Sequence, residues 1–296
     1  MSVVASEQQL LELFLRKIDA LPAFPKVVSE VIRLLENPMT SIDKIESMLM
    51  TDTGLTIKTL KIANSAYYSI PGGAKTVKRA VTFLGISALK EMLITTAVFD
   101  QLKGPANGAF DEVAFWKHSF GTAALSNFLS KELGHGNPEE AFICGLVHDM
   151  GKVLFQMYDA PEFERVIFKM KEENLTYETS EKALSATKHS VIGSMMAKKW
   201  NLPLSVQSAI NDHHNPNMGS RLTAIAEVND LVNIVYLANR LEQNFSAAQL
   251  KKPAVYNLDS DEVVKRLNLK QEDFDKMAPA IEETLNSAES LFRTLF

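Results

Sequence analysis

Apolar residues recur three and four positions apart along most of the chain, the spacing that gathers them on one face of an α-helix. After Thr40, Ile42, Ile45 and Leu49 keep this spacing, and Val113, Trp116, Phe120 and Ala124 repeat it. The longest run is Phe274, Met277, Ile281, Leu285, Ala288, Phe292 and Leu295, with steps of 3, 4, 4, 3, 4 and 3. Such a near-heptad stripe suits either core packing or a partner helix. Thr40 with Asp43 predicts a capping-box-like helix start. Asn137-Pro138-Glu139-Glu140 predicts a second start: a capping side chain, proline in the first turn, then acids facing the positive helix end. No long alternating β-branched run interrupts this pattern. The predicted fold is all-α, a multi-helix bundle with little or no β-structure.

Short connectors separate the periodic stretches. They include Pro71-Gly72-Gly73, Gly104-Pro105-Ala106-Asn107-Gly108, Gly134-His135-Gly136 and Asn215-Pro216-Asn217-Met218-Gly219. The GPANG stretch is the best candidate seam between two helical layers. It divides the chain into an N-terminal layer over 1–107, a helical core over 108–245 and a C-terminal extension over 246–296. Low-complexity segments and short repeats are absent.

Composition narrows the function classes. With 296 residues the chain can bury one large core or two moderate ones, and 46% hydrophobic and 23% charged residues are ordinary for a folded domain. A single cysteine, Cys144, excludes an internal disulfide and fits a reducing compartment. The net charge is -5, and Lys and Arg are dispersed rather than clustered. Nucleic-acid binding, which runs on clustered cations, is therefore not expected. The N-terminus lacks the basic-then-apolar order of a secretory signal, and no window approaches 18 uninterrupted apolar residues. A cytoplasmic protein without a membrane partner is expected.

The six histidines carry the candidate chemistry. His148 and Asp149 stand together in Gly-Leu-Val-His-Asp-Met-Gly-Lys, with Lys152 three positions on and so on the same helical face. Neighbouring residues on a helix diverge by about 100°, so both can address one ion only if it lies off the helix flank. Neutral imidazole supplies nitrogen and the carboxylate supplies charge and a bridging oxygen. Lys152 has two roles open to it, a salt bridge or a phosphate contact. His118 precedes this pair, and His189, His213 and His214 follow it. Any one of them alone reads as a hydrogen-bonded interior residue, and a metal-free cluster whose members satisfy one another is the plain alternative. His135, between two glycines, reads as a surface residue; Trp116 and Trp200 read as core anchors, and Tyr67 and Tyr68 as packing residues.

The order of these motifs resembles the HD superfamily of metal-dependent phosphohydrolases, and more closely its HDOD family, the HD-related output domains of bacterial signalling. The likeness rests on Leu21-Pro22-Ala23-Phe24-Pro25, on Asp52-Thr53-Gly54-Leu55 with Ala63-Asn64-Ser65, and on Ala80-Val81-Thr82-Phe83-Leu84-Gly85. It continues through Trp116-Lys117-His118-Ser119, the His148-Asp149 pair, Trp200-Asn201-Leu202-Pro203 and His213-His214. It spans roughly 14–240. The resemblance implies His118, His148 and Asp149 as ligands of one divalent metal, with His189, His213 and His214 as ligands of a second. It also implies that Lys152 acts in catalysis only if the protein is an enzyme. At the position where the superfamily closes its site with aspartate, this chain has Asn239, which lacks the charge a divalent cation prefers. Asp230, nine positions earlier, is a poor substitute on spacing. The implied function is a regulatory, non-catalytic signalling module with a degenerate metal site, taking a signalling protein or a small ligand as partner and compatible with a homodimer. The alternatives are a metal-dependent phosphohydrolase acting on a phosphoester or nucleotide, and a structural scaffold for partner helices.

Overall fold

The computed structural model describes residues 24–35, 37, 39–102, 109–251, 257–258 and 261–295. The GPANG connector and the first three residues of Leu21-Pro22-Ala23-Phe24-Pro25 lie outside them. Among the described residues the chain is helical throughout, without a strand. Helices α1 (Lys26–Leu35), α2 (Ile42–Leu49) and α3 (Thr53–Ala63) lead into the long α4 (Val77–Gln101). Then come α5 (Glu112–Leu133), α6 (Pro138–Val147), α7 (Met150–Tyr158), α8 (Ala160–Glu173) and α9 (Tyr177–Leu184). The last five are α10 (His189–Lys199), α11 (Leu204–Asp212), α12 (Ala226–Gln249), α13 (Glu262–Arg266) and α14 (Gln271–Leu295).

Side-chain caps explain most starts. Asn137 caps α6 with Pro138 in the first turn and both acids behind it, as its sequence predicts. The start after Thr40 differs: Ser41, not Thr40, accepts the Lys44 amide, and α2 begins one residue later. Ser41 has the extended backbone a cap needs, and it stands three residues before the free amide. Within α4, Gly85 takes φ 86° and ψ 174°, which only glycine adopts at low cost, and the helix bends there.

Among the described residues three apolar clusters hold the fold. Val28, Val31, Ile45, Leu49, Val81 and Leu93 join α1, α2 and α4. A central cluster contains Trp116, Phe120, Phe142, Phe155 and Trp200, so both tryptophans are core residues. A third joins α5, α12, α13 and α14 through Leu125, Leu237, Val264 and Ile281. The Phe274–Leu295 stripe thus faces inward along α5, with Met277, Ile281, Leu285, Ala288 and Phe292 buried. Among the described residues α4 is the one helix long and apolar enough to cross a membrane, yet 61% of its most apolar 18-residue stretch is buried in the protein. Its apolar surface is spent on α1, α2, α3 and α6.

Candidate metal centre

Helices distant in sequence deliver the histidines, and two glycines set how closely those helices approach. A Cβ on Gly145 of α6 would stand 2.8 Å from both Ala123 Cα and Thr122 O, so α6 and α5 meet at backbone distance. His148, just beyond, then reaches His118 of α5, with 3.2 Å between their Nε2 atoms. A Cβ on Gly151 of α7 would fall 1.8 Å from the His189 carbonyl oxygen, so α7 and the start of α10 also touch through backbone. The His-Asp pair is not on a helix flank. His148 ends α6, and Asp149 precedes α7 with φ −100° and ψ 7°. The break between helices, rather than an off-axis ion, lets both side chains face inward.

Asp149 is central and almost fully buried. Its Oδ2 lies 3.3 Å from His148 Nε2, 3.5 Å from His118 Nε2 and 2.5 Å from Lys152 Nζ. Its Oδ1 lies 3.1 Å from His189 Nε2 and 3.4 Å from His213 Nε2. His214 Nε2 stands 3.3 Å from His189 Nε2. Among the described residues two groups with ligand geometry result, Asp149 with His118 and His148, and Asp149 with His189, His213 and His214. Within each, the ligand atoms lie within 4.8 Å of one another. One carboxylate is common to both.

The outer ring nitrogens are anchored. His148 Nδ1 donates to Gly145 O at 2.7 Å, and His213 Nδ1 donates to Ile210 O at 2.8 Å. His189 Nδ1 meets Glu181 Oε2 at 2.9 Å, while the His189 amide donates to Glu181 Oε1 at 2.8 Å. His118 Nδ1 meets Glu242 of α12. Occupying Nδ1 with an acceptor aims Nε2 inward, and in the neutral ring it leaves the lone pair there, the usual device for metal-binding histidines. Asp149 Oδ1 is buried and accepts no well-aligned hydrogen bond, although two imidazole nitrogens stand beside it. An orphaned carboxylate oxygen among converging nitrogens fits a divalent cation with mixed nitrogen and oxygen ligands.

Charge is divided unevenly. Burial opposes ionisation at every imidazole. It prevails at His213, brought down to about 3, and also holds His148 and His214 below the ordinary value, His214 helped by its histidine neighbours. At His118 burial is outweighed by the Glu242 and Asp149 carboxylates, which lift it to about 9. At His189 burial is outweighed by Glu181 and Asp149, again to about 9. Burial alone would raise Asp149, but its close neighbours His148, Lys152 and His118 hold it well below the carboxylate range.

The remaining sequence candidates separate. Asn239 is buried on α12, but its Oδ1 accepts from Gln243 Nε2 at 2.5 Å. Asp230 pairs with His135 at 3.5 Å and takes no part in the cluster, and that pair is partly exposed. Lys152 forms the salt bridge. Tyr67 packs on Phe142, and Tyr68 donates to Glu91. Glu181, Glu242 and Glu178, the last 3.4 Å from His214 Nδ1, had no sequence signal beyond being acids on helices. A cavity of about 700 Å³ opens onto His118, Asp149, Lys152 and His214, with Phe110, Phe163 and Tyr177 on its apolar side.

Residues 21–216 match the profile of the HDOD domain. This chain belongs to the HDOD family. An HDOD domain protein of unknown function from Geobacter sulfurreducens superposes with a TM-score of 0.75 at 24% identity, over 95% of this chain and 97% of that one. A protein provisionally named a phosphohydrolase, from Shewanella amazonensis SB2B, gives 0.73 at 23% identity over 96% and 98%. Another, provisionally named a signal transduction protein, from Marinobacter aquaeolei VT8, gives 0.73 at 19% identity over 93% and 59%. At these identities the likeness establishes the HDOD fold. An uncharacterized protein of Treponema pallidum (strain Nichols) is 26% identical over 200 residues, or 67% of this chain. The chain spans only 38% of that relative's length.

Proposed function

We propose that this HDOD chain is a regulatory module of bacterial signalling, acting in the cytoplasm, whose His/Asp cluster binds divalent metal without turning over a substrate. The observation that carries this is the use made of Asn239 and Lys152. Asn239 is spent on Gln243, so α12 offers no carboxylate as ligand to the His118–His148 group; Glu242, one turn on, faces the outer nitrogen of His118. Meanwhile the Lys152 ammonium rests on the shared Asp149 oxygen, where a cation in that group would have to compete with it. The group with His189, His213 and His214 has four donors and is the better equipped. The degenerate site would then serve as a structural or sensing element. The module's output would be a signalling protein or a small ligand held in the adjoining cavity.

The test is metal analysis of the purified protein together with assays on a panel of phosphoesters. Stoichiometric metal without turnover is the expected result. Robust turnover that disappears in His148→Ala and Asp149→Ala would overturn the proposal.

One observation favours the second reading, a phosphohydrolase: the cavity of about 700 Å³ reaches Lys152, His118, Asp149 and His214. When bound, divalent metal supplies activated water and charge neutralisation for attack on phosphorus. The chain itself would contribute the Lys152 cation to hold a phosphate and the aromatic wall to exclude water.

A further inference from the structure

The turn carrying His213 and His214 is braced by residues beyond position 216, where the HDOD match ends. We propose that Arg266, on α13 of the C-terminal extension, is a positioning residue for the His213–His214 pair, so that metal affinity of the four-donor group depends on it. This rests on the metal-binding part of the proposed function.

After His214 the chain leaves α11 through Asn215 and Pro216. Both backbone carbonyls there are taken by guanidinium groups. Arg221 Nε donates to Asn215 O at 3.0 Å, and Arg266 Nη2 donates to Pro216 O at 2.9 Å. The two arginines then converge on one acceptor of α12. Arg221 Nη2 reaches Asn233 Oδ1 at 2.8 Å, and Arg266 Nη1 reaches the same oxygen at 3.0 Å. A further tether closes the loop behind the histidines, where the Leu222 amide donates to Asp212 Oδ2 at 2.8 Å. His213 has no freedom on its other side, since its Nδ1 is held by Ile210 O. A planar guanidinium can bridge Pro216 O and Asn233 Oδ1 at once; a lysine ammonium has no such fork. Arg221 is buried, so its removal risks the fold, whereas Arg266 is exposed and its truncation should spare it.

The full-length, metal-free protein is titrated with Co²⁺ alone, followed by calorimetry and visible absorption. In parallel, imidazole nitrogen resonances are recorded and the metal-free melting temperature is measured. Arg266→Ala should weaken Co²⁺ binding by about tenfold or more, the range for loss of a group that orients a ligand. It should shift the His213 and His214 ring resonances while leaving those of His118 and His148 in place, and Arg266→Lys should lie between the two. A merely structural role would lower the melting temperature and move all four rings or none. If the parent binds Co²⁺ and Arg266→Ala binds it equally well, the positioning role is overturned alone. If the parent binds none, the metal reading itself fails and takes this inference with it.

Discussion

Asp149 and His189, 40 positions apart, face each other across 3.1 Å because α7 and α10 touch through Gly151. That contact gives Asp149 its dual role. Its Oδ2 looks back to His118, His148 and Lys152, all on α5 to α7, while Oδ1 looks across the helix junction to His189 and His213. A single carboxylate therefore couples two histidine groups that the chain delivers from separate hairpins.

This sharing predicts unequal effects of ligand removal. Asp149→Asn withdraws the only charged donor from both groups and should abolish stoichiometric metal binding. His118→Ala removes a donor from one group only and should leave the four-donor group occupied. Elemental analysis after dialysis against metal distinguishes them. Equal losses in the two variants would mean that the groups are not separable.

The Gly151 contact predicts a steric penalty. A methyl group at Gly151 would stand 1.8 Å from a backbone oxygen, and neither helix backbone can rotate away as a side chain could. Gly151→Ala should cost on the order of 3 kcal/mol, the upper end for overpacked cores, and should weaken metal binding at His189. Denaturant unfolding checks the first effect. A variant as stable as the parent would show that α7 and α10 separate freely.

The helices and the histidines were legible in the sequence because both leave local signals, a period for the first and rare residues in family order for the second. The carboxylates behind the histidines were not. Glu181 sits in Tyr-Glu-Thr-Ser-Glu-Lys-Ala-Leu, which reads as a solvated helix, yet it is 1% exposed because α9 folds back beneath His189. Glu242 was masked by Asn239, three positions earlier, the expected ligand position that lacks an acid. The displacement of the acid by one turn changes what it does: it holds the outer nitrogen of His118. Nor could periodicity show that a helix breaks between His148 and Asp149, since apolar residues continue on both sides.

Glu181 accordingly yields a prediction of its own. Both its oxygens are committed to His189, one to the amide and one to Nδ1. Glu181→Gln keeps the shape but loses the charge that most raises His189. The His189 pKa should fall from about 9 towards or below its ordinary value. Metal affinity should drop by roughly 10- to 100-fold, as for other orienting partners. Imidazole titration by NMR and calorimetry check the two effects, and an unchanged His189 titration would rule out Glu181 as its main charge partner.

Away from the cluster, Glu91 predicts how stability changes with pH. It is 3% exposed on α4, accepts from the Tyr68 hydroxyl, and has Glu139 and Lys131 as its charged neighbours. Burial, reinforced by Glu139 and opposed by Tyr68 and Lys131, pushes its carboxyl from 4.5 to about 8. Between those values the folded chain keeps a proton that the unfolded chain has released. Stability should therefore be full below the unfolded pKa, fall as pH rises through that window, and level off above about 8. The loss should amount to a few kcal/mol, given ~1.4 kcal/mol for each pKa unit as an upper bound. Glu91→Gln cannot ionise and still offers Tyr68 an oxygen, so its stability should change less with pH and exceed that of the parent at the alkaline end. Denaturant unfolding of both proteins at about pH 5 and about pH 8.5 reads the difference directly, with the histidine contributions common to both. Parallel pH dependences in parent and variant would show that Glu91 ionises as easily in the fold as outside it.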